Sequence, residues 1–162
     1  MREINEHQEW LDVIKAVYDE HRGQGAIQVL FPEYRPDLAR AVAHSLGLGF
    51  YDYRKEKMLS EGWNAGNITL DEMTETLLAI SADTGKNGLV IYNIEALLAT
   101  KPEEQRQRWL ADCLDQSRIN WPKPVVLPLS IYHSDTIDRN PRVCNLEFDE
   151  FPKESFLMRL AM

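Results

Sequence analysis

Apolar positions along the chain follow two periods, and segments of the two kinds alternate. Residues 4–21 repeat apolar side chains at helical spacing, whereas 26–31 is a short β-branched run that Pro32 closes. The pattern predicts five strands, at 26–31, 49–53, 89–93, 125–129 and 142–148. It predicts further amphipathic helices at 37–46, 69–84, 102–114 and 152–162. Strands that alternate with helices at this spacing indicate a three-layer α/β/α fold with a mainly parallel sheet.

The length of the chain favours one domain over residues 1–162. Within it, 1–24 is predicted to be an N-terminal amphipathic helix that leads into the core. The stretch 54–68 is rich in glycine, asparagine and charge, which predicts a surface loop. Asp37, with Pro36 just ahead of it, is expected to cap the second helix. The ends of these segments coincide with changes of composition, and no linker separates them from the rest of the domain.

Candidate chemistry lies where two of the predicted strands end. The apolar run 89–98 passes through a polar corner that holds Tyr92, Asn93 and Glu95. The first strand is joined to its helix by a short loop consisting of Pro32, Glu33, Tyr34, Arg35, Pro36 and Asp37.

The order of these segments resembles that of AAA+ ATPases, a branch of the P-loop fold. Residues 38–53 are similar to the helix and strand after the phosphate loop, and 89–98 to the Walker B strand. The stretch 125–130, which ends in Ser130, resembles the strand that carries the sensor residue, and 151–160 the entry to the second sensor region. The resemblance implies a sheet order of 5-1-4-3-2. No C-terminal lid is expected after Met162.

The chain departs from that family at both halves of the nucleotide site. A Walker A loop needs glycines whose N–H groups wrap the phosphates, a lysine, and a hydroxyl that holds Mg²⁺. The loop 32–37 has none of these, and its two prolines lack N–H donors. At the Walker B corner, Tyr92 or Asn93 stands where an aspartate would hold the metal. We therefore expect no cofactor, no metal site and no ATP hydrolysis.

The size and layout are also similar to those of the small P-loop accessory protein of BREX-type phage-defence systems. In that family a strand like 90–98 recurs with an aspartate before Asn-Ile-Glu. What the resemblance implies for this chain is a non-catalytic accessory subunit in a bacterial multi-protein system that acts on phage or mobile DNA. The alternative is a divergent nucleotide-binding protein or ATPase whose site a partner subunit completes. A flavodoxin-like or Rossmann-like enzyme ranks last, because no glycine-rich dinucleotide fingerprint follows a strand.

Charge and aromatic residues narrow the expected partners. The formal net charge of −8 argues against direct binding to nucleic acid or to an anionic membrane, and no apolar run is long enough to cross a bilayer. A cytoplasmic protein that binds a larger ATPase or nuclease is expected. Tyr34 and Arg35 have the residue types enriched at binding hot spots, and Trp63 in a Gly-flanked stretch either anchors a partner or folds back onto its own domain.

Overall fold

The computed structural model describes residues 2–21, 25–132 and 140–146. The helices are α1 (Arg2–Glu20), α2 (Pro36–Leu46), α3 (Leu59–Glu61), α4 (Leu70–Asp83), α5 (Glu95–Leu98) and α6 (Glu103–Asp112). The strands are β1 (Ala26–Leu30), β2 (Gly49–Asp52), β3 (Leu89–Tyr92), β4 (Val125–Leu129) and β5 (Val143–Asn145). The terminal helix predicted at 152–162 and the second sensor region lie outside the described residues.

All five strands join one parallel sheet in the order β2-β3-β4-β1-β5. This confirms the predicted five-stranded sheet and, counted from the other edge, the order 5-1-4-3-2. In the register, Ala26 lies opposite Val125, and Gly49 lies opposite Leu89. The carboxyl ends of β1, β3 and β4 therefore meet at one edge, where the loop 32–37 and the corner after β3 both begin.

Helices cover both faces of the sheet, which gives the three-layer α/β/α fold. On one face α1 and α2 pack their apolar side chains, among them Trp10 and Leu38, against Ile27 and Val29 of β1. On the other face α4, α5 and α6 bury a second core cluster. Because successive side chains of a strand point to opposite faces, β1 serves both clusters, and its residues are buried throughout.

Gly88 and Pro128 are both compatible with their positions at the centre of the sheet. A Cβ on Gly88 would lie 2.6 Å from the carbonyl oxygen of Pro124, so only glycine allows this close approach of two chains. Pro128 lies within β4, which pairs with β1 along all five of its residues. Leu129 O accepts from Phe31 N, so by alternation Pro128 faces β3, and the β3 ladder ends at Val126. The missing N–H of Pro128 therefore costs no ladder hydrogen bond.

One polar side chain lies inside the core. Gln28 of β1 is fully buried and donates from Nε2 to Leu110 O at 2.8 Å and to Cys113 Sγ at 3.0 Å. Burial raises the pKa of Cys113 to about 12, so this thiol stays neutral. Cys144 is buried in the cluster on the opposite face. The sheet thus separates the two cysteines, and both are buried as free thiols.

Two local predictions are corrected by the structure. The stretch 54–68, predicted as a surface loop, is helical over most of its length: a π-helical turn (Arg54–Met58), α3, and a 3₁₀ helix (Gly62–Asn67). Burial of Met58 and Ile68 in the core explains why it folds back on the domain. The second helix begins at Pro36 with Arg35 in the N-cap position, so Asp37 does not cap it. Pro36 suits the first position because it has no N–H to satisfy.

Candidate functional site

The loop after β1 is closed by its own side chains. Arg35 donates from Nε and Nη2 to the two carboxylate oxygens of Asp37 at 3.0 and 2.9 Å. Its Nη1 lies 3.6 Å from Glu33 Oε1. The hydrogen bonds that Arg35 donates to Asp37 raise the pKa of Arg35 above its usual value. The N–H groups of Leu38 and Ala39 both donate to Arg35 O. The guanidinium and the first helical turn are thus engaged within the loop, and the pair Arg35–Asp37 is largely shielded from solvent.

Tyr34 covers the corner after β3. Its ring centroid lies 5.6 Å from that of Tyr92, which in turn lies 6.1 Å from Phe50 of β2. Tyr92 is buried, and burial, followed by the neighbouring hydroxyl of Tyr34, raises its pKa far above the usual range. A neutral phenol is a poor ligand for a hard cation such as Mg²⁺. Tyr34 itself keeps about half of its surface exposed, at 54%.

Asn93 forms a hydrogen-bonded corner between β3 and β2. Its backbone has φ 64°, a left-handed conformation that asparagine adopts more readily than most residues. Its side-chain amide donates to Asp52 Oδ1 at 3.0 Å, and the N–H of Lys55 donates to the same oxygen at 3.1 Å. Asn93 therefore donates a hydrogen bond to a carboxylate, whereas a metal ligand must offer an electron pair to the cation.

Glu95 accepts three successive backbone N–H groups from the turn after β4. Its Oε1 lies 2.9 Å from Ser130 N, and its Oε2 lies 2.6 Å from Ile131 N and 2.7 Å from Tyr132 N. The Ser130 hydroxyl adds a longer contact of 3.4 Å. With three donors directed at it, the carboxylate acts as a structural acceptor that joins α5 to the end of β4. Ser130, the sensor-like residue, belongs to this same cluster.

A cleft of about 330 Å³ opens beside the Glu95 cluster, at the ends of β1, β4 and β5. Phe31 and Pro32 line one side, Ser130 and Ile131 another, and Asn145 the β5 end. Crevices at the carboxyl edge of a parallel sheet are common ligand positions. The backbone N–H groups of the turn on its β4 side are already used by Glu95.

The structure brings some of the sequence-predicted site residues into contact and leaves others apart. It brings Tyr34 to Tyr92 and Ser130 to Glu95, while Arg35 turns back onto Asp37. Trp63 lies apart, in the 3₁₀ helix, and its side chain is fully exposed rather than folded back. Sequence reasoning missed Asp52, the partner of Asn93, whose only signal was a carboxylate at the carboxyl end of a predicted strand.

Neither metal clusters nor membrane spans are found in the part of the chain that the structure describes. No group of three or more His, Cys, Asp or Glu side chains there is placed to hold a metal ion. Likewise, none of the described helices has the length and apolarity that crossing a bilayer requires. Comparisons with protein-family models, with curated proteins and with solved structures found no match.

Replacing Glu95 tests its role as a structural acceptor. We expect Glu95→Gln to lower the free energy of unfolding by about 2–4 kcal/mol, because the amide NH₂ faces backbone donors and leaves one or more N–H groups unpaired. Urea denaturation followed by circular dichroism measures the change. Glu104→Gln is the matched control, since Glu104 is exposed with one long ion pair at 3.8 Å, and it should leave the stability within error. Equal stability of the two variants would contradict the assignment.

The Asn93 corner predicts that an aspartate at position 93 is harmful. Asn93→Asp would place a second carboxylate beside Asp52 and lower the free energy of unfolding by about 1–2 kcal/mol at neutral pH. The double variant Asp52→Asn, Asn93→Asp restores one donor and one acceptor, and should recover most of the loss. A double-mutant cycle in thermal or urea unfolding measures this coupling. If Asn93→Asp were as stable as the wild type, the hydrogen bond to Asp52 would not be significant.

Proposed function

We propose that this protein is a non-catalytic accessory subunit whose α/β domain derives from a P-loop ATPase and acts through protein contacts. One observation carries the proposal: the groups at the positions where nucleotide chemistry would be needed are engaged with one another. Arg35 binds Asp37, Asn93 binds Asp52, and Glu95 binds backbone N–H groups. A phosphate or a metal ion would have to break these contacts before it could bind.

The exposed aromatic side chains support a role in protein contacts. Tyr34 and Trp63 both present large rings to solvent, and tyrosine and tryptophan are enriched among the residues that dominate binding energy. Arg35, expected from the sequence to be a third contact, is held in its ion pair with Asp37. A larger ATPase or nuclease of a bacterial defence or mobile-DNA system is the partner we propose, in the cytoplasm. The net charge of −8 disfavours direct contact with nucleic acid.

A second candidate function is favoured by the cleft beside Ser130. A divergent nucleotide-binding protein, completed by a neighbouring subunit, would use this space at the carboxyl edge of the sheet. The two functions differ in what the isolated protein binds. They also differ in what Arg35 does, since a nucleotide would draw its guanidinium away from Asp37.

The first test is titration of the isolated protein with ATP and Mg²⁺ in a calorimeter. We expect no saturable heat from the wild type or from Arg35→Ala, because Glu95 occupies the N–H groups of the turn after β4 and the only cation of the loop, Arg35, is paired with Asp37 in the wild type. An ATPase assay should likewise find no activity. Saturable binding that Arg35→Ala weakens, or hydrolysis that Glu95→Gln abolishes, would contradict the proposal and support the nucleotide-binding alternative.

The second test asks whether Tyr34 contacts a protein in the native host. A photo-crosslinking phenylalanine analogue in place of Tyr34 should yield one dominant crosslinked species, identified by mass spectrometry. The same analogue in place of Glu104, an exposed residue of α6, is the control and should yield none above background. Equal crosslinking from the two positions would contradict a partner surface at Tyr34.

A further inference from the structure

Trp63 and Leu59 form an apolar surface that none of the described residues covers. Trp63 is fully exposed and Leu59 is 63% exposed, although the segment that carries them is anchored. Ala65 packs against the core below it, and Lys101 Nζ donates to Gly66 O at 3.2 Å. An indole held in water by an anchored backbone leaves a large apolar area unburied, which is typical of a contact surface.

A groove that suits an aromatic ring lies between α4 and α6. Its volume is about 250 Å³, and Leu70 and Trp109 provide its apolar walls. The ring of Trp109 is fixed, because its indole N–H donates to Thr74 Oγ1 at 2.8 Å. Asp71 and Asp112 line the same groove. A second indole placed there would gain aromatic contact with Trp109 in addition to the burial of its own surface.

The groove and Trp63 lie in the same layer of the protein. Ala65 and Leu70 both pack on the core cluster that includes Trp109. The 3₁₀ helix that holds Trp63 ends at Asn67, and the groove begins at Thr69. Six residue steps separate Trp63 from Thr69, so the two features lie within about 20 Å of each other even for a fully extended chain. Trp63 points to solvent and leaves its own groove empty.

The two parts of this surface carry opposite charges, so the surface is complementary to the same surface of a second copy. The π-helical turn ahead of Trp63 carries Arg54, Lys55, Glu56 and Lys57. Lys57 pairs with Glu61 of α3 at 3.5 Å, which leaves Arg54 and Lys55 as the cations available to a partner. The groove carries Asp71 and Asp112 against one cation, Arg108, in a chain with a net charge of −8. A two-fold axis beside Trp63 would bring the basic turn of one copy to the acidic groove of the other.

We propose that the partner of this surface is a second copy of the chain. Trp63 of each protomer inserts into the groove between α4 and α6 of the other, beside Trp109, and the basic turn faces Asp71 and Asp112. Such reciprocal contacts give a dimer that adds no third copy, because each protomer offers the same ring and the same groove and both are then occupied. The proposal rests on the proposed role in protein contacts and assigns one of its two exposed aromatic surfaces, which leaves Tyr34 to the larger partner.

Sedimentation equilibrium tests the dimer directly. Between about 1 and 200 μM, the wild-type mass should rise from 18.8 kDa toward twice that value, as for a micromolar dissociation constant. Trp63→Ala should weaken association at least about tenfold and Asp112→Lys should weaken it as well, while Tyr34→Ala should dimerise like the wild type. Circular dichroism confirms that each variant is folded. A wild type that stays at 18.8 kDa, or a dimer that Trp63→Ala leaves intact, would overturn the proposal.

Fluorescence gives a second readout of the same contact. The chain has four tryptophans, and Trp10, Trp109 and Trp121 are buried, so iodide should quench Trp63 selectively. We expect quenching in the monomer at low concentration and protection at high concentration, with no such change in Trp63→Phe. Quenching that does not depend on concentration would overturn the dimer. That failure would leave the nucleotide titration unaffected, whereas saturable binding of ATP would overturn the proposed function and not the dimer.

Discussion

Backbone N–H groups at the carboxyl edge of a parallel sheet need acceptors, and in this protein the carboxylate of Glu95 accepts three of them. The turn Ser130–Tyr132 ends β4, while Glu95 begins the short helix after β3, so this single side chain joins two neighbouring strand ends. Asn93 joins β3 to β2 through Asp52 in the same way. With Arg35 and Asp37 closing the loop after β1, polar side chains of the chain itself bind the segments at the ends of β1, β2, β3 and β4, next to the cleft at the β5 end.

Under the proposed function, these contacts explain how a parallel sheet of the order 5-1-4-3-2 can occur without binding a nucleotide. In the proposed descent, each polar residue at this edge binds an internal partner instead of a ligand. Arg35 binds Asp37, Asn93 donates to Asp52, and Glu95 accepts from the turn after β4. Tyr34 and Tyr92 add a pair of contacting, tilted rings beside them. The edge then stabilises the fold and leaves Tyr34 half-exposed.

The fold was largely predictable because its strands are buried on both faces and stand out as short apolar runs between helical patterns. Prediction was wrong at 54–68, where Gly62, Asn64 and Gly66 favour a loop but burial of Met58 and Ile68 imposes helical turns. At the site, the missing glycines and lysine of the loop 32–37 were visible in the sequence. The contacts were not, because Glu95 and its three donors are separated by 35–37 residues, and only tertiary structure joins them.

The central claim is that the carboxyl edge is closed by internal contacts, and amide hydrogen exchange measured by NMR tests it most directly. The account predicts slow exchange at Ser130, Ile131 and Tyr132 in the wild type, loss of that protection in Glu95→Gln, and no change of rates or chemical shifts when Mg²⁺ and ATP are added. Fast exchange at these amides in the wild type, or shifts at Tyr34 and Ser130 that saturate with ATP, would contradict it.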